Sequence, residues 1–306
     1  MNDLARMLGT DWHTVNDTVI RYGEALLDAD IERIGPTRAL GMDETLFARV
    51  GPFRRQCWST QMVDVEHGVL LDVVEGRTAE EPCRWLLLRD VEWLTGIDYG
   101  TLDLSSTYRK VFETMLPWVT LIADPFHVVR IANSRLDEVR RRVQNDTVGH
   151  RGRKHDPLYR ARRLLTRAHE RLSDDANAKL VGLLDAGDPG HEVRDAWHAK
   201  EVVRSIYDVT DAEIADTFVS ELAEDLKHKS RPPEVRSLGR TLKRWHDQIV
   251  AWHQAHFTNA AAEAMNNLVK RVKRVAFGFR SFRNYRIRAL LYAGRPNWSL
   301  LATITP

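Results

Sequence analysis

A change of hydrophobic period at Ala39 is the feature that most constrains the fold of this chain. From there, three runs show the strand-like pattern of apolar and polar residues, and turn residues at Gly51–Pro52 and His67–Gly68 separate them. The predicted strands are Ala39–Phe47, Gln56–Val65 and Val69–Val74. These runs and their short turns predict three antiparallel strands.

Helical and strand-like segments alternate after these strands. In order, they are a helix Ala79–Leu94, a short strand around Gly100–Leu104, a helix Ser105–Met115 and a fully apolar run Trp118–Ala123. Pro117 and Asp124 bound the last run, as expected for a buried strand. Three antiparallel strands followed by helix-linked parallel strands predict an α/β fold with an RNase H-like mixed sheet.

Almost all of the chain from Phe126 to about His256 is predicted to be helical. The segments are Phe126–Asn145, Pro157–Leu172, Ala176–Asp185, Val193–Tyr207, Asp211–Lys227 and Pro233–His256. They form a large all-helical insertion in the sheet domain. Its first part is strongly basic, and the run GHRGRKH favours a loop that faces DNA over a solvated helix surface.

The first 35 residues suggest a partial helix-turn-helix. A short helix Asp3–Leu8 ends at Gly9, and a second helix starts after Thr10 or Asp11, with Val15 and Val19 on its inner face. Small Ala5, the turn glycine and Val15 have the spacing of this motif, whose second helix reads the major groove. The residues expected to face the groove are Trp12, His13 and Asn16. An ordinary helical hairpin is the alternative.

The predicted organisation follows from these segments. Residues 1–35 form the partial helix-turn-helix, 36–126 the first part of the catalytic core, 127–256 the helical insertion and 257–306 the C-terminal helices of the core. The chain contains 45 Lys and Arg against 43 Asp and Glu. Because the total is balanced, the local basic patches are what indicate an anionic polymer as partner.

The stretch Thr258–Arg288 begins as an amphipathic helix. Its predicted buried stripe consists of Ala261, Met265, Leu268, Val272 and Val275. Its predicted polar face consists of Glu263, Asn266, Asn267, Lys270 and Arg274. A solvated helix face is the simpler interpretation, but the isolated Glu, the adjacent amides and the interleaved aromatics favour a metal ion and a phosphate backbone.

Cysteine content and hydropathy exclude several classes of protein. Cys57 and Cys83 form no CxxC motif, which argues against a disulfide framework or a zinc ribbon within this chain. No apolar run is long enough for a membrane span and no signal peptide is recognisable. The sequence therefore predicts a cytoplasmic, nucleoid-associated protein that does not bind membranes.

Three carboxylates stand out in the chain: Asp43 inside the first strand, Asp124 just after the apolar strand and Glu263 on the late helix. A carboxylate in or beside a buried strand is costly unless it is paired or binds a cation. For Asp124, the alternative is a helix N-cap before Pro125. His127 is either a capping or core histidine or a support for Asp124 as a ligand. Clustered carboxylates predict Mg²⁺ or Mn²⁺, two ions of which suit phosphodiester chemistry.

Four segments carry a family resemblance. GMDETLF, DLSSTYRK, IADPFHVVRIAN and NAAAEAMNNLVKRVKRVAFGFRSFRNYRIRALL resemble the DDE transposases of bacterial insertion sequences, in particular the ISL-three family, over nearly the whole chain. The resemblance implies an RNase H-like core, an all-helical insertion before the last acid and a Mg²⁺-dependent triad of Asp43, Asp124 and Glu263. Asp103 becomes an accessory position. The resemblance also implies a cysteine-rich zinc ribbon and a fuller helix-turn-helix at the N-terminus, which this sequence does not contain.

The implied function is Mg²⁺-dependent cleavage of double-stranded DNA at element ends and strand transfer into target DNA by a homodimer. The residues expected to contact DNA are Trp12, His13, Asn16, Asn266, Asn267, Lys270, Lys273, Arg274, Arg280 and Arg283. One alternative is a truncated, non-catalytic derivative that binds DNA as a competitor or regulator. Another is an RNase H-like nuclease or resolvase without strand transfer.

Overall fold

The computed structural model describes residues 2–305. These residues form two compact units. The first unit contains the chain up to Leu121 and from Phe257 onward, and the second unit is Ile122–His256.

A five-stranded mixed sheet is the framework of the first unit, and the predicted α/β class is confirmed. The strands are β1 Ala39–Val50, β2 Arg55–Asp64, β3 Val69–Glu75, β4 Tyr99–Leu102 and β5 Thr120–Ala123. Their order in the sheet is β3-β2-β1-β4-β5. Strand β1 is antiparallel to β2 and parallel to β4, and β2 is antiparallel to β3. The predicted period change at Ala39 therefore marks the start of the sheet.

Helices make up most of the remaining chain. They are α1 Asn2–Met7, α2 Trp12–Ala29, α3 Glu80–Leu87, α4 Val91–Thr95, α5 Ser106–Met115, α6 Pro125–Val148, α7 Pro157–Leu165, α8 Asp174–Gly187, α9 Glu192–Ser205, α10 Ala212–Leu226, α11 Pro233–Arg244, α12 His246–Ala255, α13 Ala260–Val275 and α14 Phe282–Ala293. Helices α6 to α12 lie in the second unit, so the insertion is helical as predicted.

Two long predicted helices are each broken into two. The prediction Ala79–Leu94 is wrong because Asp90 has extended backbone angles, φ −65° and ψ 148°, which end the helical path between α3 and α4. The prediction Pro233–His256 is wrong because Trp245, with φ −107° and ψ 16°, separates α11 from α12. Neither residue is a Gly or Pro, so the sequence shows no conspicuous breaker at these points.

The N-terminal helices follow the predicted pattern locally. Gly9 has the left-handed φ of 62° that ends α1, and Asp11 caps α2 because its carboxylate accepts a hydrogen bond from the Thr14 amide at 3.0 Å. Ala5 and Val15 are buried. Helix α2 continues to Ala29 and packs closely on α14, where a Cβ at Gly23 would lie 2.8 Å from the Ile287 side chain.

Helices α13 and α14 pack on the sheet through one apolar cluster of the first unit. It comprises Phe47, Val63, Leu70, Val73, Ala262, Met265, Val269, Tyr285, Ala289, Leu290 and Ala293. The predicted stripe on α13 is confirmed at Met265, which is buried, and in part at Leu268, which is half-buried against this cluster, but it is wrong at Val275. The buried face is turned toward Ala262, Asn266 and Val269, and Val275 is 75% exposed. The reason is a polar contact that α13 makes with β1 through Asn266.

In the second unit, much of the predicted basic charge is used in internal ion pairs. Arg140 is buried and donates from Nε to Asp137 at 2.8 Å. Arg142 bonds to Glu234 at 2.7 Å and to Glu192 at 2.6 Å, and these two carboxylates raise its pKa. Arg140 is paired within its own helix, whereas Arg142 connects α6 to α9 and α11, so neither is a free cation of a solvated basic face.

Candidate functional site

Asp43 is held in the middle of β1 by two hydrogen bonds. Its Oδ1 accepts from the Glu44 backbone amide at 2.7 Å, and its Oδ2 accepts from the side-chain amide of Asn266 on α13. The carboxylate is only half-buried. It is therefore fixed in orientation while part of it remains accessible.

Asn266 connects α13 to β1. It is 3% exposed, and while Nδ2 donates to Asp43, Oδ1 accepts from the Thr45 hydroxyl at 2.9 Å. Asp43 and Thr45 are two residues apart, so they project from the same face of the strand. The prediction that Asn266 belongs to the exposed polar face of α13 is therefore wrong, because its side chain points into the protein. Asn267 and Lys270 are exposed.

A second polar contact fixes the start of α13. The Thr101 hydroxyl on β4 donates to Oδ1 of Asn259, which is completely buried, at 3.0 Å. A Cβ on Gly41 would lie 3.0 Å from that hydroxyl oxygen and 3.2 Å from the Asn259 oxygen, so glycine permits this close approach. Glu263 lies one turn after Asn259 and less than one turn before Asn266. The helix therefore carries Glu263 between its two contacts with the sheet.

Asp103 follows directly after β4, the strand parallel to β1. The register pairs Ala39 with Tyr99 and Gly41 with Thr101. Continued by two residues, this register brings Asp103 level with Asp43. Asp103 therefore lies at the same height in the first unit as the β1 carboxylate.

One buried tyrosine reports independently on these carboxylates. Burial raises the pKa of Tyr108, and the negative charges of Glu44, Asp103 and Asp43 raise it further. Burial also raises the pKa of Glu44, and the charge of Asp103 adds to that shift. The Tyr108 hydroxyl shares a hydrogen bond of 3.0 Å with Thr60. Electrostatic coupling thus groups Asp43, Glu44 and Asp103 around one hydroxyl.

Asp124 lies in the second unit, where it caps α6. It is 3% exposed, and its Oδ2 accepts from the His127 backbone amide at 3.3 Å, with His127 Nδ1 at 3.0 Å from the same oxygen. The N-cap interpretation is confirmed. Burial raises the pKa of Tyr207 and the Asp124 charge raises it further, so this hydroxyl is also close to Asp124.

The donor set beside Asp43 suits an oxygen-preferring divalent cation, because it consists of carboxylates and amides and lacks thiolates. Within residues 2–305, no three His, Cys, Asp or Glu side chains lie close enough together to coordinate one ion. Neighbouring carboxylates repel each other, and a bound divalent cation would offset this repulsion.

A groove of about 1570 Å³ in the first unit collects most of the predicted DNA contacts. Its lining includes Trp12 and Asn16 of α2 together with Lys270, Lys273, Arg274 and Arg280. The sequence did not predict Arg6 and Arg49, which also line it, because only the fold brings them there. Asp3 is the one carboxylate among the lining residues that the structure describes.

The groove cations are poorly neutralised. Within residues 2–305, Lys270, Arg274 and Arg280 form no ion pair with a carboxylate. Burial lowers the pKa of Lys273, and the positive charges of Lys270 and Arg49 lower it further. Lys273 donates to the backbone carbonyl of Leu46. A surface that concentrates cations against their mutual repulsion is stabilised by a polyanion.

Arg283 and His13 do not line this groove, and Asn16, which does, is engaged by two side chains of α14. Arg283 forms an ion pair with Glu24, which raises the pKa of the guanidinium. The Asn16 side-chain oxygen accepts from Asn284 at 2.9 Å and from Arg288 at 3.0 Å. His13 is exposed and packs edge-on against Trp12 with ring centroids 5.2 Å apart.

Comparison with known families identifies the family of this chain. Residues 40–289 match the family model DDE_Tnp_ISL3, which is described as a transposase. The match covers well over half of the chain, so the chain belongs to the ISL3 family of transposases. Within residues 2–305, no helix combines the length and apolar character needed to cross a membrane.

Curated relatives are similar over most of the chain. Two are transposases for insertion sequence element IS1557 from Mycobacterium tuberculosis, strains CDC 1551 / Oshkosh and ATCC 25618 / H37Rv, each 27% identical over 293 residues. The alignment covers 88% of this chain and 63% of the relative, so the chain spans about 63% of its length. A short match, 35% identical over 63 residues and 21% of this chain, is to an ATP-dependent protease of Lactococcus lactis subsp. lactis.

Proposed function

We propose that this chain is a DDE-type transposase that cleaves DNA at insertion-sequence ends and transfers the freed 3′ ends into target DNA. The observation that carries the proposal is the docking of α13 beside Asp43 through Asn266, because Glu263 lies on the same helix less than one turn before Asn266. The strand order supports an RNase H-like core for this chemistry. Membership of a transposase family supports the same reaction class.

The second aspartate has two candidates. Family resemblance favours Asp124, which follows β5. Three observations favour Asp103: β4 is the direct neighbour of β1, the register brings Asp103 level with Asp43, and both charges act on Tyr108. We therefore assign Asp103 to the second position of the triad and Asp124 to capping α6.

The carboxylates of Asp43, Asp103 and Glu263 would hold two divalent cations, Mg²⁺ or Mn²⁺. When bound, such ions activate the attacking oxygen and stabilise the leaving oxygen of a phosphodiester. Asn266 and Thr45 fix the rotamer of Asp43. Residues that orient a ligand in this way commonly tune metal affinity.

The groove cations would hold the DNA backbone. Lys270, Arg274 and Arg280 provide phosphate contacts, which give affinity and salt dependence but little sequence choice. Trp12 and Asn16 line the same groove from α2 and would contact the same duplex. Joining two element ends requires two such surfaces, so the proposed active form is a homodimer on DNA.

The direct test incubates the purified chain with double-stranded DNA that carries the ends of its own element. With Mg²⁺, we expect nicks at the element ends that leave a 3′-OH, followed by products joined to target DNA. A chelator should abolish both steps. Cleavage that persists undiminished in the chelator would contradict metal-dependent chemistry, and complete cleavage without any joined product would favour a nuclease.

Thr45→Val is expected to weaken Mn²⁺ binding by about 10- to 100-fold, because residues that orient a metal ligand contribute this much to metal affinity. The substitution removes the hydroxyl that holds the Asn266 amide. Mn²⁺ affinity can be measured by electron paramagnetic resonance on the unreacted protein. Thr107→Val on α5 is a matched control and should leave the affinity unchanged. An unchanged affinity in Thr45→Val would contradict the orienting role.

A further inference from the structure

One aromatic side chain stands apart at the end of α13. Phe277 is fully exposed, with a relative exposure of 101%. The other aromatics of this basic stretch are packed: Tyr285 stacks on Phe47 at 5.2 Å between ring centroids, and Phe279 and Phe282 contact the same cluster. Core packing therefore explains the other three rings and leaves Phe277 without a role in the fold.

The backbone holds Phe277 in an unusual conformation. Its φ is 55°, in the left-handed region that a bulky residue rarely adopts. Backbone hydrogen bonds from the Phe277 amide to Arg274 at 3.1 Å and from the Gly278 amide to Lys273 at 2.9 Å fix this turn. Strained residues held by surrounding structure are concentrated at functional sites. The fixed turn therefore holds the Phe277 backbone with its side chain exposed.

The surroundings of Phe277 indicate what the ring meets. It lines the same groove as Lys270, Lys273, Arg274 and Arg280. Three of these cations precede Phe277 in the sequence and Arg280 follows it. The positive charge of this groove complements a polyanion. Under the proposed function, that polyanion is duplex DNA. Proteins that bind the minor groove through cations frequently insert an apolar side chain such as Phe between adjacent bases.

We propose that Phe277 is a wedge that inserts between adjacent base pairs and unstacks them while the groove cations hold the flanking phosphates. The inference rests on the proposed action on DNA and deepens it. Insertion would kink the duplex that lies in the groove. No covalent step is involved, because the ring replaces base stacking with its own contact.

The test measures how the full chain binds two short duplexes of one arbitrary sequence, which differ only in that one contains a single mismatched pair. A mismatch has already lost part of its stacking, so a wedge binds it more tightly. We expect the wild-type chain to prefer the mismatched duplex at least about tenfold, since unstacking one step costs a few kcal/mol. Phe277→Ala should lose this preference, and Phe277→Leu should retain most of it as another apolar wedge.

Salt dependence separates the wedge from the phosphate contacts. Phe277→Ala should keep the wild-type slope of log Kd against log salt, whereas Lys270→Ala should keep the mismatch preference and lower the slope by about one phosphate contact. Phe53→Ala is the matched control, because Phe53 is 96% exposed on the β1–β2 turn and does not line the groove. It should behave as wild type.

Two results would overturn the wedge: no mismatch preference in the wild-type chain, or an equal loss of preference in Phe53→Ala and Phe277→Ala. Neither result affects the cleavage assay, so the proposed transposase activity would stand. Failure of the wild-type chain to bind either duplex at any salt concentration would instead overturn the proposed function.

Discussion

Replacing Asp103 with Asn is expected to reduce the rate of Mg²⁺-dependent cleavage of element ends at least about 100-fold. Loss of a residue that only orients a metal ligand lowers activity about 10- to 100-fold, and loss of a ligand itself should lower it more. The side chain keeps its size and loses its charge. Asp103 follows β4, whose register with β1 brings it level with Asp43. The rate of 3′-OH formation at saturating DNA is the measurement.

Asp124→Asn provides the matched comparison. Asn is as good an N-cap as Asp, so the substitution removes the charge and keeps the start of α6. We expect the cleavage rate of Asp124→Asn to stay within about tenfold of the wild-type rate. A loss of about tenfold is the smallest effect expected for a residue that orients a metal ligand. The reverse pattern, with Asp124→Asn inactive and Asp103→Asn active, would restore Asp124 to the triad.

Asp72→Ala is expected to lower the free energy of unfolding by about 3 kcal/mol, near the lower end for breaking a buried ion pair, because Arg286 is 38% exposed. Asp72 on β3 accepts from Arg286 of α14 at 2.7 and 2.8 Å and from the Trp85 indole of α3 at 2.9 Å. Its loss leaves a partly buried guanidinium and a buried indole N–H without their acceptor. Urea denaturation followed by tryptophan fluorescence measures the change.

The control for Asp72 is an exposed ion pair on the same helix. Arg283→Ala breaks the ion pair with Glu24, but the arginine side chain is 63% exposed. The free energy of unfolding should therefore fall by no more than about 1 kcal/mol. Equal effects of Asp72→Ala and Arg283→Ala would contradict the role of Asp72 as the junction of α14, β3 and α3.

The sheet could be predicted from the sequence because its information is local. Turn residues separate β1, β2 and β3, and each run reads as a strand without knowledge of its neighbours. The breaks at Asp90 and Trp245 could not be predicted in this way. Neither is Gly or Pro, and their backbone angles depend on how the flanking helices pack.

The candidate site was predicted in part. Asp43 and Glu263 stood out because a carboxylate within a strand and an isolated Glu beside two amides are locally conspicuous. The inward orientation of Asn266 could not be predicted, because Lys, Asn and Arg surround it and only the Thr45 and Asp43 contacts turn it toward the sheet. The proposal of Asp103 in place of Asp124 likewise rests on the strand order, which the sequence alone did not give.

The surface proposed to bind DNA was also predicted only in part. The sequence located the basic stretch after Glu263, yet it did not separate Phe277 from the three packed aromatics around it. It also described the first part of the helical segment as strongly basic, although Glu192 and Glu234, distant in sequence, neutralise Arg142 there. Charge runs are local, but their neutralisation is a tertiary property.

The most direct test of metal-dependent DNA cleavage by Asp43, Asp103 and Glu263 is the rate at which Glu263→Gln cleaves element-end DNA with Mg²⁺. Glu32→Gln, the same change at an exposed position, is the control. We expect Glu32→Gln to cleave like wild type and Glu263→Gln to be slower by at least about 100-fold, with its affinity for DNA unchanged. Undiminished cleavage by Glu263→Gln would contradict the assignment of this chain as a DDE-type enzyme acting through Glu263.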